Sequence, residues 1–240
     1  MSSHRRSGRR NWLWWGLAAA AVVVVLAVGG PFVYIHFLSG SAPAPLDLKA
    51  SPGATASGSG QAAADSPLAG SWTIATGSRA GYRVNEVLLG QDNVAVGRTN
   101  SVAGHLTIAR TAVTGGAFTV KMGTIHSDKS RRDAQFNGRI MDVATYPTGT
   151  FTLTRSISLA PVPANGKVVT YHATGNLTLH GQSRPVTFPL RAERTATAIQ
   201  VSGSIPVTFA DWGIPNPSFA SVVTTQDHGL LEFLLVLHRT

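Results

Sequence analysis

The sequence predicts an all-β domain with one short helix, preceded by a membrane segment and a flexible linker. Three observations carry this: period-two hydrophobicity, closely spaced turn signals, and one amphipathic interruption. Phe118, Val120 and Met122 alternate with Thr119, Lys121 and Gly123, and Val186, Phe188 and Leu190 alternate with Thr187 and Pro189. Ile199, Val201, Ile205, Val207 and Phe209 share one parity, while Gln200, Ser202, Ser204 and Thr208 take the other. Such alternation marks strands with one wet face. Gly115-Gly116, Asn165-Gly166 and His180-Gly181 read as turns between runs. Spacing long enough for helical crossovers is absent, so the strands pair antiparallel, closed into a barrel or folded into a sandwich. The segment 230–237 is apolar on both parities, which predicts that its outer face is covered too.

The interruption begins at Ser130. Ser130-Arg131-Arg132-Asp133 has capping-box spacing, with Ser130 as N-cap and Asp133 near the positive helix end. Phe136, Ile140 and Val143 follow at i, i+4 and i+7, and Arg132 continues that stripe one turn back. Arg131, Gln135 and Arg139 form the solvated stripe. The apolar side would sit on the strands and Arg132 would point to the mouth of a barrel. Gly138 argues against a long regular helix, and Pro147 ends it.

Ahead of the β domain at 70–240 the chain reads as three pieces: a basic cytoplasmic tail at 1–11, a transmembrane anchor at 12–38 and a disordered linker at 39–69. The stretch 12–38 holds no Asp, Glu, Lys or Arg and is long enough to span a hydrocarbon core. Arg5, Arg6, Arg9 and Arg10 precede it and the next basic residue is Lys49, which places the N-terminus in the cytoplasm and the rest outside. A cleaved signal peptide is the rival reading. Its apolar core would be shorter, and Pro45 would directly follow the best cleavage-like triplet, Ala42-Pro43-Ala44. The linker is rich in Ser, Ala, Pro, Gly and Thr, without periodicity.

Composition excludes several classes of chemistry. The chain has no cysteine, so disulfides, thiolate metal sites and a Cys nucleophile are ruled out. Net charge is +9, but from Gly70 onward 15 basic and 9 acidic residues leave about +6, scattered. That pattern argues against nucleic acid and is compatible with an anionic small ligand or membrane surface. The eight histidines do not cluster, and no zinc spacing, carboxylate pair or GxSxG elbow occurs. No catalytic residue, metal ligand or cofactor is therefore expected. Asn176-Leu177-Thr178 matches a glycosylation sequon but falls within an expected strand. Arg132 and Asp133 read either as an ion pair and cap at a helix start, or as contacts for an anionic head group. Trp212, in Asp211-Trp212-Gly213-Ile214, reads as a plug for one barrel end or as an aromatic wall of its mouth.

Together, Ser71-Trp72, Arg132-Asp133, the YPTGTF run at 146–151, the GNLTLHGQSRPV run at 175–186 and the DWGI run at 211–214 resemble the YceI-like family. The resemblance covers roughly 70–240. It implies a lipocalin-like antiparallel β-barrel with a helix across it, whose cavity takes polyprenyl phosphates or isoprenoid quinones, and export from the cytoplasm. On that expectation an isoprenoid tail lies along Phe118, Met122, Leu177, Leu179, Phe188, Ile205, Val207 and Phe233. Arg132 meets the head group, and Phe136, Phe151 and Trp212 complete the site. The function expected is a membrane-anchored, extracytoplasmic binding protein that sequesters or ferries an isoprenoid lipid. A ligand-free interaction module of the cell envelope and an enzyme acting on a bound lipid are the alternatives. Oligomeric state is not legible in the sequence.

Overall fold

The period-two runs form the wall of a barrel. The computed structural model describes residues 22–23, 42–48, 68–88, 90–218 and 223–240. Its strands are β1 (Gly70–Ile74), β2 (Arg79–Leu88), β3 (Gln91–Thr99), β4 (Val102–Ala109), β5 (Ala112–Lys121), β6 (Thr148–Leu153), β7 (Ile157–Ser158), β8 (Val169–Leu179), β9 (Gln182–Arg194), β10 (Ala198–Thr208), β11 (Val223–Thr225) and β12 (His228–Arg239). Every pairing is antiparallel. Eight strands close a ring in the order β1-β4-β5-β6-β8-β9-β10-β12, with β12 returning to β1. Closure leaves no open sheet edge in the ring, which decides between the barrel and the sandwich.

The long strand β12 serves two partners. Its end at Leu237–Arg239 pairs with β1, and Leu230–Leu234 pairs with β2, which carries β3 as a hairpin beyond the ring. The gap beyond β3 is met by the chain after β5. Arg98 and His126 form a bridge there, and the helix α1 (Ser130–Gln135) follows. A π turn at Phe136–Ile140 continues α1, so Gly138 sits where the helix loses its regular pitch.

Two local expectations are corrected. Ser130 is the first helical residue and the N-cap is Lys129, with no side-chain cap bond. Asp133 instead reaches back to Ser127, accepting from its N–H at 2.8 Å and its hydroxyl at 2.6 Å. Gly115-Gly116 is no turn: both residues lie inside β5, opposite Thr107 and Leu106, beside a register shift at Thr107/Ile108. The chain reverses at Arg110-Thr111, and the glycine pair accommodates a bulge. His180-Gly181 is a two-residue reversal as expected, with φ of 46° and 75°, joining β8 to β9.

The interior holds two buried clusters. One gathers residues such as Phe136, Leu179, Phe188 and Val207 around the α1 end. The other gathers Trp72, Ile108, Ile199 and Leu237 at the opposite end. Of the tail and anchor at 1–38, only Val22 and Val23 are described, as helix, and the rest lies outside the described residues. Among the described residues no helix is long and apolar enough to cross a membrane. Residues 42–48 correct the linker expectation for their own stretch. They lie against the outer wall, where Leu48 is buried and the outward-facing Ser202 of β10 is buried beside it. This contact lies on the outer side next to β12, but Leu230 on that outward parity is 37% exposed, so the expected covering of the outer face holds only in part.

Candidate functional site: an apolar barrel cavity

A cavity of about 1230 Å³ runs through the barrel between residues of both buried clusters. Inward parity builds its wall. Phe118 comes from β5, Phe151 from β6, Leu177 and Leu179 from β8, Phe188 from β9, Ile205 and Val207 from β10, and Phe233 from β12. Met122 and Phe136 close the α1 end. The aromatic rings pack on one another edge-on, Phe151 to Phe188 at 5.3 Å and Phe188 to Phe233 at 5.9 Å between centroids.

Two glycines shape the lumen by what they lack. A Cβ on Gly175 would stand 2.3 Å from the Thr152 carbonyl oxygen and 2.5 Å from the Phe151 ring. A Cβ on Gly203 would stand 2.7 Å from the Phe233 ring. Each ring thus lies in the place of an absent side chain, flat on the wall, and the space beyond it stays open.

The α1 end of the cavity is polar. Arg132 donates to Glu86 Oε1 at 3.0 Å and to the Asp128 carboxylate. Glu86 also accepts from Asn93 Nδ2 at 2.6 Å. Burial works against the Arg132 charge, but the Glu86 and Asp128 carboxylates outweigh it and raise its pKa further. Tyr82 stacks on Phe136 with centroids 5.1 Å apart, and burial pushes its phenol well above the ordinary range although Arg132 pulls it back. It is a neutral hydroxyl at working pH. At Asp133, burial alone would raise the pKa, but the Ser127 hydroxyl and N–H, with His126, hold the carboxyl below its usual range.

Of the residues the sequence puts forward, Phe118, Met122, Arg132, Phe136, Phe151, Leu177, Leu179, Phe188, Ile205, Val207 and Phe233 all border the cavity. Trp212 does not, which corrects its placement on the ligand wall. It is buried at 4% exposure in a 3₁₀ turn, Phe209–Trp212, and its carbonyl oxygen lies 3.3 Å from His180 Nδ1. It packs within the buried cluster around the α1 end. Of the paired arginines, Arg131 is exposed and Arg132 turns inward to Glu86. Sequence reasoning missed Glu86 and Tyr82. The signal was present: Tyr82, Val84, Glu86 and Leu88 share the inward parity, so Glu86 is a charge on an otherwise apolar face.

A profile of the YceI-like domain matches residues 72–237. Among solved structures, a polyisoprenoid binding domain from Saccharophagus degradans implicated in plant cell wall breakdown is 18% identical, with TM-score 0.58. The match covers 70% of this chain and 98% of that one. BcnA of Burkholderia cenocepacia is 20% identical with TM-score 0.50, over 65% of this chain and 95% of its own. At these identities the likeness carries the fold. No curated protein matches the chain.

Proposed function

The chain belongs to the YceI-like family, and from that premise we propose that it is an extracytoplasmic, membrane-anchored binding protein for an amphipathic isoprenoid lipid. The observation that carries the proposal is the cavity itself: apolar along its wall, with a polar, ion-paired end where α1 meets β2. Burying even ten methylene equivalents contributes about 8 kcal/mol before ordering costs. The relative from Saccharophagus degradans, a polyisoprenoid binding domain, supports the same ligand class.

The α1 end refines the head group. Arg132 already serves two carboxylates, so a phosphate there would have to compete with Glu86 for the same guanidinium. A neutral head that accepts from the Tyr82 hydroxyl needs no donor from Arg132, so of the two ligand classes the isoprenoid quinone suits the site better. The protein's role is carriage or sequestration rather than catalysis.

The test is native mass spectrometry of the full chain purified from its host membrane, followed by organic extraction. A co-purifying neutral isoprenoid of defined mass is the expected result. A chain that stays empty after incubation with both quinones and polyprenyl phosphates would overturn the reading and leave an interaction module in its place.

A further inference from the structure

The outer wall of the barrel carries a second binding site, and its occupant is the chain itself. Pro43 and Pro45 lack backbone N–H groups, so this stretch offers carbonyls and asks the wall for donors. Arg83 Nη2 donates to the Pro43 carbonyl at 2.6 Å, and Arg98 Nη2 donates to that of Ala44. Glu232, only 4% exposed, holds both guanidinium groups from β12, Arg83 at 2.5 Å and Arg98 at 3.3 Å. Further along, Arg191 donates to both Asp47 oxygens at 2.7 and 2.6 Å, and the Ser202 hydroxyl donates to Asp47 at 3.1 Å. Leu48 is 6% exposed, and its N–H donates to Ser202 Oγ at 3.2 Å.

We propose that residues 42–48 are a dock that fixes the barrel mouth against the bilayer; this rests on the reading of 12–38 as an anchor. A free linker at 39–69 would let the barrel range over an r.m.s. distance of about 30 Å. With the dock closed, only residues 39–41 lie between the apolar segment and the wall, a reach of at most about 14 Å. The attachment point also sets orientation. Arg98 exchanges backbone hydrogen bonds with His126 at 2.9 and 3.0 Å, just ahead of α1, so the chain arrives beside the polar end of the cavity. The mouth is thereby held at the lipid surface, and an insoluble tail enters without crossing water.

Two measurements on the full chain in lipid nanodiscs separate the dock from the anchor. Hydrogen exchange reads the dock alone: the Leu48 amide should exchange at least about tenfold slower than an open chain. Asp47→Arg should abolish that protection, and Asp47→Arg with Arg191→Asp should restore it. Leu48→Asp should abolish it without rescue by Arg191→Asp. Unprotected Leu48 in the parent chain would overturn the dock. Energy transfer to labelled lipid reads the spacing, and the absence of cysteine allows single labels at Lys121→Cys and Ser158→Cys, on opposite ends of the β5 region. The Lys121 label should lie nearer the bilayer by about 20 Å, from the length and tilt of β5. Asp47→Arg should erase that difference. Equal distances in the parent chain, with Leu48 protected, would overturn the positioning role. Failure of the chain to float with vesicles would overturn the anchor reading, whatever the exchange result.

Discussion

The two faces of β12 are both largely apolar in sequence, yet they have different surroundings. The inner face, with Leu231, Phe233, Leu235 and Leu237, looks onto the cavity. The outer side at Glu232, together with the neighbouring Ser202 of β10, meets the chain's own residues 42–48. The inner face tolerates empty space because its rings brace one another around the lumen. The outer face tolerates a buried carboxylate because two guanidinium groups, each also bonded to a carbonyl of 42–48, satisfy it. Hydrophobicity alone therefore does not report what covers a face: on the outer side Leu230 is exposed while Glu232 is buried, and the polar residues set into the face tell what meets it.

The strongest way to break this contrast is on the inner face. Phe188→Ala removes the ring that touches both Phe151 and Phe233 and should cost about 4 kcal/mol in denaturant unfolding. A bound isoprenoid should recover part of that loss, because the space created opens to the cavity. On the outer face, Glu232→Ala leaves Arg83 and Arg98 without their shared carboxylate and should cost about 3 kcal/mol. Added lipid should recover none of it. Equal recovery in both variants would dissolve the distinction between the faces.

A smaller effect sharpens the head-group assignment. Glu86→Gln frees Arg132 from its inward partner and should raise affinity for a polyprenyl phosphate by about tenfold, roughly 1.4 kcal/mol, in calorimetric titration. Affinity for a neutral quinone should stay within about twofold. An unchanged preference would remove the Glu86–Arg132 pair from selectivity. The smallest effect lies at Asp133. Its folded pKa is depressed, so its stabilising contribution is complete above the unfolded value of about 3.9 and disappears as pH falls through the lower folded value. Melting temperature between pH 5 and pH 3 should drop less steeply for Asp133→Asn than for the parent chain. Parallel curves would show that the Ser127 contacts do not discriminate between the two protonation states.

Much of the site was legible because period two is a direct record of which side chains point inward. Phe118, Phe188, Ile205 and Val207 could be assigned to one interior from parity alone, and the structure places them on one cavity wall. Arg132 was legible as inward-turning from its place on the helical stripe with Phe136. Its partner was not, since Glu86 lies 46 positions earlier, and pairing across that separation depends on how β2 meets α1. Trp212 was ambiguous for a related reason: a bulky aromatic after a strand fits a wall or a plug, and only the local turn takes it off the cavity wall. Gly115-Gly116 misled because glycine serves bulges as readily as turns.

By itself, the sequence determined the β-rich class, the inward faces and the tight reversal at His180-Gly181. These follow from short-range rules: alternation, turn chemistry and the cost of exposing apolar surface. Only the tertiary structure decided that the strands close into a ring, that the ring is hollow, and that residues 42–48 lie on its outside. Closure and hollowness depend on strand tilt and on rings settling over Gly175 and Gly203. The dock depends on Arg83, Arg98, Arg191 and Ser202 converging from four strands onto seven residues of proline-containing chain whose one polar side chain is Asp47. No local pattern in those seven residues records that the donors are there.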